Sequence, residues 1–223
     1  RRQFKMKGNF ALTKEFHILN LVTQAKVLDA DGSTRVNWAT EFSQSIPADV
    51  DFDLDNATPA SGVVRRKCTA VRRSIQVALK GMPMAGVVGL CGDAFWDDLV
   101  SHPEVVSTFN NWAAAADLRN GFSKEWQAFR YGDILFVNYR STDDGSTVGV
   151  GTDKCKFFPT GSGIFQWALS PGEKFEHLGN MGQETYSNML VDRDRDQWAD
   201  VEMYSYPLPV CTMPSALYQA RRT

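Results

Sequence analysis

Four cysteines and three histidines are the side chains of this 223-residue chain best suited to a nucleophile and base or a soft metal site. Cys68, Cys91, Cys155 and Cys211 are widely spaced and form no Cys-x-x-Cys, and His17, His102 and His177 are equally scattered. A zinc site read from sequence needs ligands at close, repeated intervals, and none occur here. A Cys91 or Cys155 nucleophile served by His102 or His177 needs closeness only in space, which makes a thiol-dependent hydrolase one functional class to weigh. The plainer reading, adopted here, is four buried thiols kept reduced in a cytoplasm. There is no Walker phosphate loop, Gly149-Val150-Gly151 lacks the third glycine of a dinucleotide fingerprint, and Gly161-Ser162-Gly163 lacks the flanks of a nucleophile elbow. No catalytic residue, cofactor or metal is expected.

Charge supplies the stronger pattern. Asp49, Asp51, Asp53 and Asp55 alternate with Val50, Phe52 and Leu54. A period of two sends the carboxylates to one face and the apolar side chains to the other, predicting a half-buried strand. Carboxylates in a straight row do not wrap a single ion, so calcium is not expected; a charged row instead suits a sheet edge that must not pair wrongly. A basic cluster follows at Arg65, Arg66, Lys67, Arg72 and Arg73. As a solvated helix face it needs no partner. As an interface it complements the acidic row, and the sharper expectation is an assembly contact in which one copy's acids meet another copy's bases.

These groups need elements to hold them. Phe16, Leu19 and Val22, widened by Ile18, Leu21 and Ala25, predict a helix over Thr13–Ala25 buried on more than one side. Lys26–Leu28 and Thr34–Trp38 flank Asp31-Gly32, the dipeptide of a type I' hairpin. After a loop at Asn56–Gly62, a helix is expected from about Thr69 to Lys80. Val87–Cys91 reads as a buried strand and Asp93 as the N-cap of a helix reaching Val100. A second short helix starts at Pro103 and carries Val105, Val106 and Phe109, with His102 as cap or surface residue. Phe129–Tyr139 reads as strands around a Gly132-Asp133 turn, and Ser141–Gly151 as a mobile polar loop. Phe157-Phe158, Ile164–Leu169 and Phe175–Leu178 supply short strands. Asp192–Asp196 alternates in sign, as suits a solvated turn or an interface, and Gln197–Tyr206 reads as a long strand.

Charged residues make up 22% and hydrophobic residues 43%, with a formal net charge of -2. That balance lacks the basic excess that drives tight, sequence-independent phosphate binding. The length supports one sizeable core or two small ones. No apolar run approaches the roughly 18 residues that span a bilayer. Fourteen Phe and six Trp are a heavy aromatic load, so some are expected to be buried only in an assembly.

The last stretch, Ser205-Tyr206-Pro207-Leu208-Pro209-Val210-Cys211-Thr212-Met213-Pro214-Ser215-Ala216-Leu217, is apolar and punctuated by prolines. Their missing N–H donors confine it to an edge strand or a docked arm that something must cover. It resembles the closing signature of the lambda-like major capsid protein E family of tailed bacteriophages: a polar-Pro-Leu element, a short apolar strand, then Met-Pro-x-x-Leu. Two upstream segments match in the same order. One is Lys26-Val27-Leu28-Asp29-Ala30-Asp31-Gly32-Ser33 with Asn37-Trp38, the other Phe157-Phe158-Pro159-Thr160-Gly161 running through Phe165 to Ser170-Pro171-Gly172.

The resemblance implies the Hong Kong 97-type α+β capsid fold. Residues 1–70 and 191–223 would form a peripheral domain of spine helix and long sheet, and residues 71–190 an axial domain. It implies a structural head protein rather than an enzyme, self-assembling through pentamers and hexamers into an icosahedral shell around phage DNA. Scaffold, protease and decoration proteins are its implied partners, the DNA is touched weakly and without sequence specificity, and no membrane is involved. Its place would be the virion capsid, assembled in the bacterial host cytoplasm. An encapsulin-like compartment shares the implied fold and stands as an alternative beside the hydrolase; protein cargo in place of DNA would mark it. Family members carry an N-terminal arm and an extended loop ahead of the point matching Arg1. The chain is therefore expected to be a truncated or processed piece of a longer subunit.

Overall fold

The computed structural model describes residues 2–56, 58–110, 127–139, 150–195 and 197–223. Helix α1 (Arg2–Gln24) leads into the hairpin β1 (Lys26–Leu28) and β2 (Thr34–Asn37), the single turn α2 (Trp38–Glu41) and β3 (Val50–Asp51). Helix α3 (Val63–Ala78), strand β4 (Gly86–Cys91) and helices α4 (Asp93–Ser101) and α5 (Pro103–Asn110) follow. The remainder is strand: β5 (Gln127–Tyr131), β6 (Ile134–Asn138), β7 (Lys154–Thr160), β8 (Phe165–Leu169), β9 (Tyr186–Val191), β10 (Ala199–Tyr204), β11 (Pro207–Cys211) and β12 (Tyr218–Arg221). Six strands form one mixed sheet in the order β3-β12-β7-β4-β6-β5, and β1–β2, β9–β10 and β8–β11 form two-stranded ribbons.

The main core is a row of rings laid across the six-stranded sheet. Phe129 pairs in register with Phe136, Phe136 with Gly89, and Gly89 with Phe157. Gly89 has no side chain, so Phe136 and Phe157 approach to 5.9 Å between centroids over the intervening strand β4. Phe157 stacks on Phe52 at 5.8 Å and Phe129 on Phe136 at 5.6 Å. Trp96 from α4 closes one end at 5.1 Å from Phe129. Helix α3 lies in the same core through Val64, Cys68, Val71 and Ile75, a spacing of three and four that makes one continuous stripe.

A second core joins the two ends of the chain. Leu21 of α1 and Ala25, the residue just after it, pack with Val27, Trp38, Cys211 and Leu217. The Trp38 indole N–H donates to the Pro209 carbonyl at 3.0 Å, fixing β11 beneath α1. The expected helix at Thr13–Ala25 is present and buried all round at Leu19–Thr23, while the half of α1 before it stands largely in solvent.

Local details differ from the sequence reading where a third group intervenes. At Asp31-Gly32 only the glycine has positive φ, because the Gly32 N–H turns back to Asp29 and the Asp29 N–H bonds Ser33, making a longer loop than type I'. The type I' geometry appears instead at Gly132-Asp133, with φ of 56° and 65°. Trp38 begins α2 rather than ending β2, since the Asn37 side chain accepts the Ala39 N–H. Gly92 occupies the cap position of α4, and the Asp93 carboxylate, one residue on, accepts from the Asn138 amide at 3.0 Å. Helix α3 starts at Val63, six residues before the expected Thr69, because the Glu104 carboxylate of α5 accepts the Val64 and Arg65 N–H groups. His102 is a buried cap whose Nδ1 accepts the Glu104 N–H. Phe175–His177 is a 3-10 turn rather than a strand. The expected loop at Ser141–Gly151 lies, up to residue 149, outside the described residues.

Gly89→Ala tests the ring row. The new Cβ would stand 2.8 Å from Phe157 Cε1 and 3.0 Å from Cys155 Sγ, so the variant should lose about 1–3 kcal/mol in urea unfolding. Gly8→Ala, in the open half of α1 with nothing near its Cβ, should gain up to about 1 kcal/mol. Equal midpoints for Gly89→Ala and the parent would show that the row has slack.

Candidate assembly interface

The acidic row sits where the alternation places it. Phe52 and Leu54 are buried, Asp49 and Asp55 are exposed, and β3 is an edge of the main sheet. Regular strand ends at Asp51 because Asp53 turns to a φ of +52°, although the Phe52 and Leu54 N–H groups still bond the carbonyls of Arg221 and Arg222. The carboxylates have partners that sequence reading missed. Asp49 accepts from Gln219 at 2.7 Å and lies 3.8 Å from Lys154, and Asp51 lies 3.9 Å from Arg221. Arg221 and Gln219 come from β12, inserted beside β3, and Lys154 from β7 on its far side, pairings that nothing local in the sequence announces. Such loose, exposed pairs are worth about 0–1 kcal/mol each, so they leave the acids free to exchange partners.

The basic cluster lies along the first turns of α3. Arg72 pairs with Asp133 and the Arg66 Nε–H donates to the Gly62 carbonyl at 3.2 Å. Arg65 and Arg73 are exposed, Lys67 is half-buried, and none of these three makes an ion pair or hydrogen bond through its side chain among the described residues. Ser61, Arg65, Arg66, Thr69 and Arg73 line a shallow basic depression. Among the described residues no acid at 49–55 pairs with any of the five bases. Within one chain, then, the two charge blocks are presented outward rather than to each other.

The thiols are placed for packing. All four are buried and free, and Cys91 faces Cys155 across β4 and β7 with sulfurs 3.3 Å apart. Burial, reinforced by the Cys91 neighbour, pushes the Cys155 thiol well above its ordinary range, away from the thiolate that a nucleophile requires. His177 packs against Tyr186 at 4.8 Å, at the foot of the β9–β10 ribbon. Among the described residues no group of three or more His, Cys, Asp or Glu is placed to hold a metal, and no helix is long and apolar enough to cross a membrane.

The architecture is shared with a solved phage protein. A crystal structure of a prophage capsid protein from E. coli CFT073 matches with a TM-score of 0.57 at 17% identity, over 94% of this chain and 62% of that one. This likeness places the chain in the α+β capsid fold expected from the resemblance. The profile of phage major capsid protein E matches residues 1–222, and the chain belongs to that family. The major capsid protein of Pseudomonas phage KPP10 is 25% identical over 86% of this chain and 59% of its own length. That of Salmonella phage Felix O1 is 27% identical over 99% of this chain and 67% of its own. The chain thus spans about three fifths to two thirds of these relatives.

The buried thiols set an alkaline limit on stability. Burial pushes Cys68 up to about 12 and Cys211 up to about 11, from an ordinary 9.0. Tyr131 is held up to about 12 by burial and by its hydrogen bond to Glu104. Each group is neutral when protonated, so folding favours the protonated form. The stability they contribute is complete below pH 9.0 and is lost as the pH rises through about 11 and then 12, because the unfolded chain gives up these protons first. Urea midpoints should therefore hold below the thiol range and fall steeply above it. In Cys68→Ala/Cys211→Ala the early part of that fall should flatten, and an unchanged slope would remove the thiols as its cause.

Proposed function

We propose that this chain is the wall-forming part of a phage major capsid protein, copies of which assemble through pentamers and hexamers into an icosahedral shell around packaged DNA. The observation that carries this reading is the family match over residues 1–222. The role is mechanical rather than catalytic. Its place is the virion capsid, reached by assembly in the bacterial host cytoplasm with scaffold, protease and decoration proteins as partners. The DNA is contacted weakly and without sequence specificity, in keeping with a net charge of -2. We divide the subunit into a peripheral domain at residues 1–70 and 191–223 and an axial domain at residues 71–190. Strands β3 and β12 are the segments of the first that run into the sheet of the second, and through them the two parts share one core.

Within the shell, Asp49, Asp51, Asp53 and Asp55 of one subunit face Arg65, Arg66, Lys67, Arg72 and Arg73 of a neighbour. Support comes from the outward presentation of both blocks and from their opposite sign. Exposed charge pairs are screened by salt, so each contact is individually weak and the lattice gains its strength from repetition.

Assembly followed by light scattering and electron microscopy tests both statements. The triple variant Arg65→Glu/Arg66→Glu/Lys67→Glu should form no shells, raised salt should weaken assembly of the parent, and adding Asp49→Lys/Asp55→Lys to the triple variant should restore particles. Normal shells from the triple variant would remove the charge contact and leave the capsid reading standing. All these proteins carry the upstream arm and loop implied by the resemblance, since the 223-residue chain alone is expected to remain a monomer or small oligomer; absence of particles from that extended parent in every salt would remove the capsid reading.

A further inference from the structure

We infer that the β9–β10 hairpin of one copy docks in the groove beside α1 of a second copy; the inference rests on the self-assembly reading above and names one of its contacts. The groove, of about 1060 Å³, runs between the exposed half of α1 and the end of the β8–β11 ribbon. Phe10 and Ala11 form one wall, Trp167 and Pro207 the other, and Lys7 and Lys14 stand at the rim. The Lys14 ammonium lies 5.5 Å above the Trp167 ring and pairs with Glu184. The result is an apolar slot with a cationic lip.

The hairpin has the matching properties. Its foot is anchored: Tyr186 stacks on Tyr204 at 5.8 Å, and Tyr204 meets Tyr206 at 5.9 Å. Beyond the foot Lys174 reaches Asn188 at 2.6 Å, but the apolar side chains stand in solvent: Met189 is 63% and Trp198 56% exposed, with Leu190 and Val191 beside them. A lone two-stranded ribbon is marginal in water, and apolar exposure of this extent marks a surface that is covered in the working protein. Residues 186–204 carry five carboxylates against two arginines, while residues 2–14 of α1 carry four basic residues and no acid. Opposite fields of this kind orient an encounter as well as hold it.

The occupant is a second copy rather than the same chain. Thr185, Ser205 and Tyr206, at the foot of the hairpin, line the groove themselves, so the hairpin projects from its own groove's rim and would have to break its tyrosine stack to fold back in. Hairpin and groove are different surfaces of one copy. Their contact is therefore head-to-tail, the type that closes into rings when the rotation permits.

Site-directed cross-linking decides it, because all four native thiols are buried. Trp198→Cys and Ala11→Cys proteins are prepared separately, mixed under assembling conditions and treated with a short bismaleimide. The expected result is a covalent dimer in the mixture, absent from either variant alone and lost when the groove partner also carries Lys7→Glu. Adding Asp194→Lys to the hairpin partner should return it. Assembly without the mixed dimer overturns the docking and leaves self-assembly intact, whereas failure of the proteins to associate at all overturns both. A Trp198→Cys/Ala11→Cys double variant that cross-links internally as a monomer assigns the groove to the chain's own hairpin and likewise overturns the proposal.

Discussion

Everything in the main sheet is arranged around the missing side chain at Gly89. Neighbouring strands lie about 4.8 Å apart, so Phe136 and Phe157, on either side of β4, start about 10 Å from each other. Their rings nevertheless meet at 5.9 Å, leaning over the strand between them. Any Cβ at position 89 would wedge that contact open. With it closed, the row from Phe52 to Trp96 is unbroken, each ring pair adding about 0.5–1.5 kcal/mol beyond its buried area. The row also dictates order: the residue following β3, Phe52, stands at one end, and α4 must cross the face so that Trp96 caps the other.

The C-terminal segment turns this local packing into a connected molecule. Strand β11 pairs with β8 and is pinned by Trp38, a short 3-10 turn places Leu217 in the second core, and β12 then slots between β3 and β7. Residues 207–221 therefore contact both cores. Prolines make this workable, since Pro207 and Pro209 lie on a strand paired on one side only and Pro214 starts the turn. Insertion of β12 also moves the sheet edge outward to β3, and this is why the acidic row faces solvent. The placement of the charge block follows from a backbone pairing near the other end of the chain.

What the sequence made legible was the part controlled by neighbours in sequence. The acid–apolar alternation at 49–55, the buried half of α1, strand β4 and the turn at Gly132-Asp133 all appear where periodicity and turn chemistry place them. The illegible part depended on distant partners. Four residues, Tyr218–Arg221, hold no pattern that marks an interior strand, yet they supply Arg221 and Gln219 to the acidic row. The early start of α3 comes from Glu104, about forty residues downstream, which a local scan for caps does not reach. Asp93 misled for a related reason: it is a good capping residue whose carboxylate is engaged by Asn138 across the sheet. The prolines correctly announced a segment needing cover, and the resemblance carried by its wording led to the family that the profile match establishes.

The two surfaces left without partners differ in kind, and the difference has consequences for an assembling subunit. The charge blocks on β3 and α3 are exposed and already partly matched within the chain, so exchanging those matches for a neighbour's costs little and gains little. Contacts of that strength are reversible, and in the proposed shell they would let a misplaced copy leave before the lattice grows around it. The ribbon β9–β10 instead exposes Trp198 and Met189 on a rigid foot. Burying them gains about 25 cal/mol for each Å² removed from water and does not fade with salt as the charge pairs do. With both proposed contacts in place, recognition and retention would be separate: charge would set which faces meet, and apolar burial how long they stay. High salt should then slow the encounter more than it loosens an assembled contact, an asymmetry that a surface made of charge alone would lack.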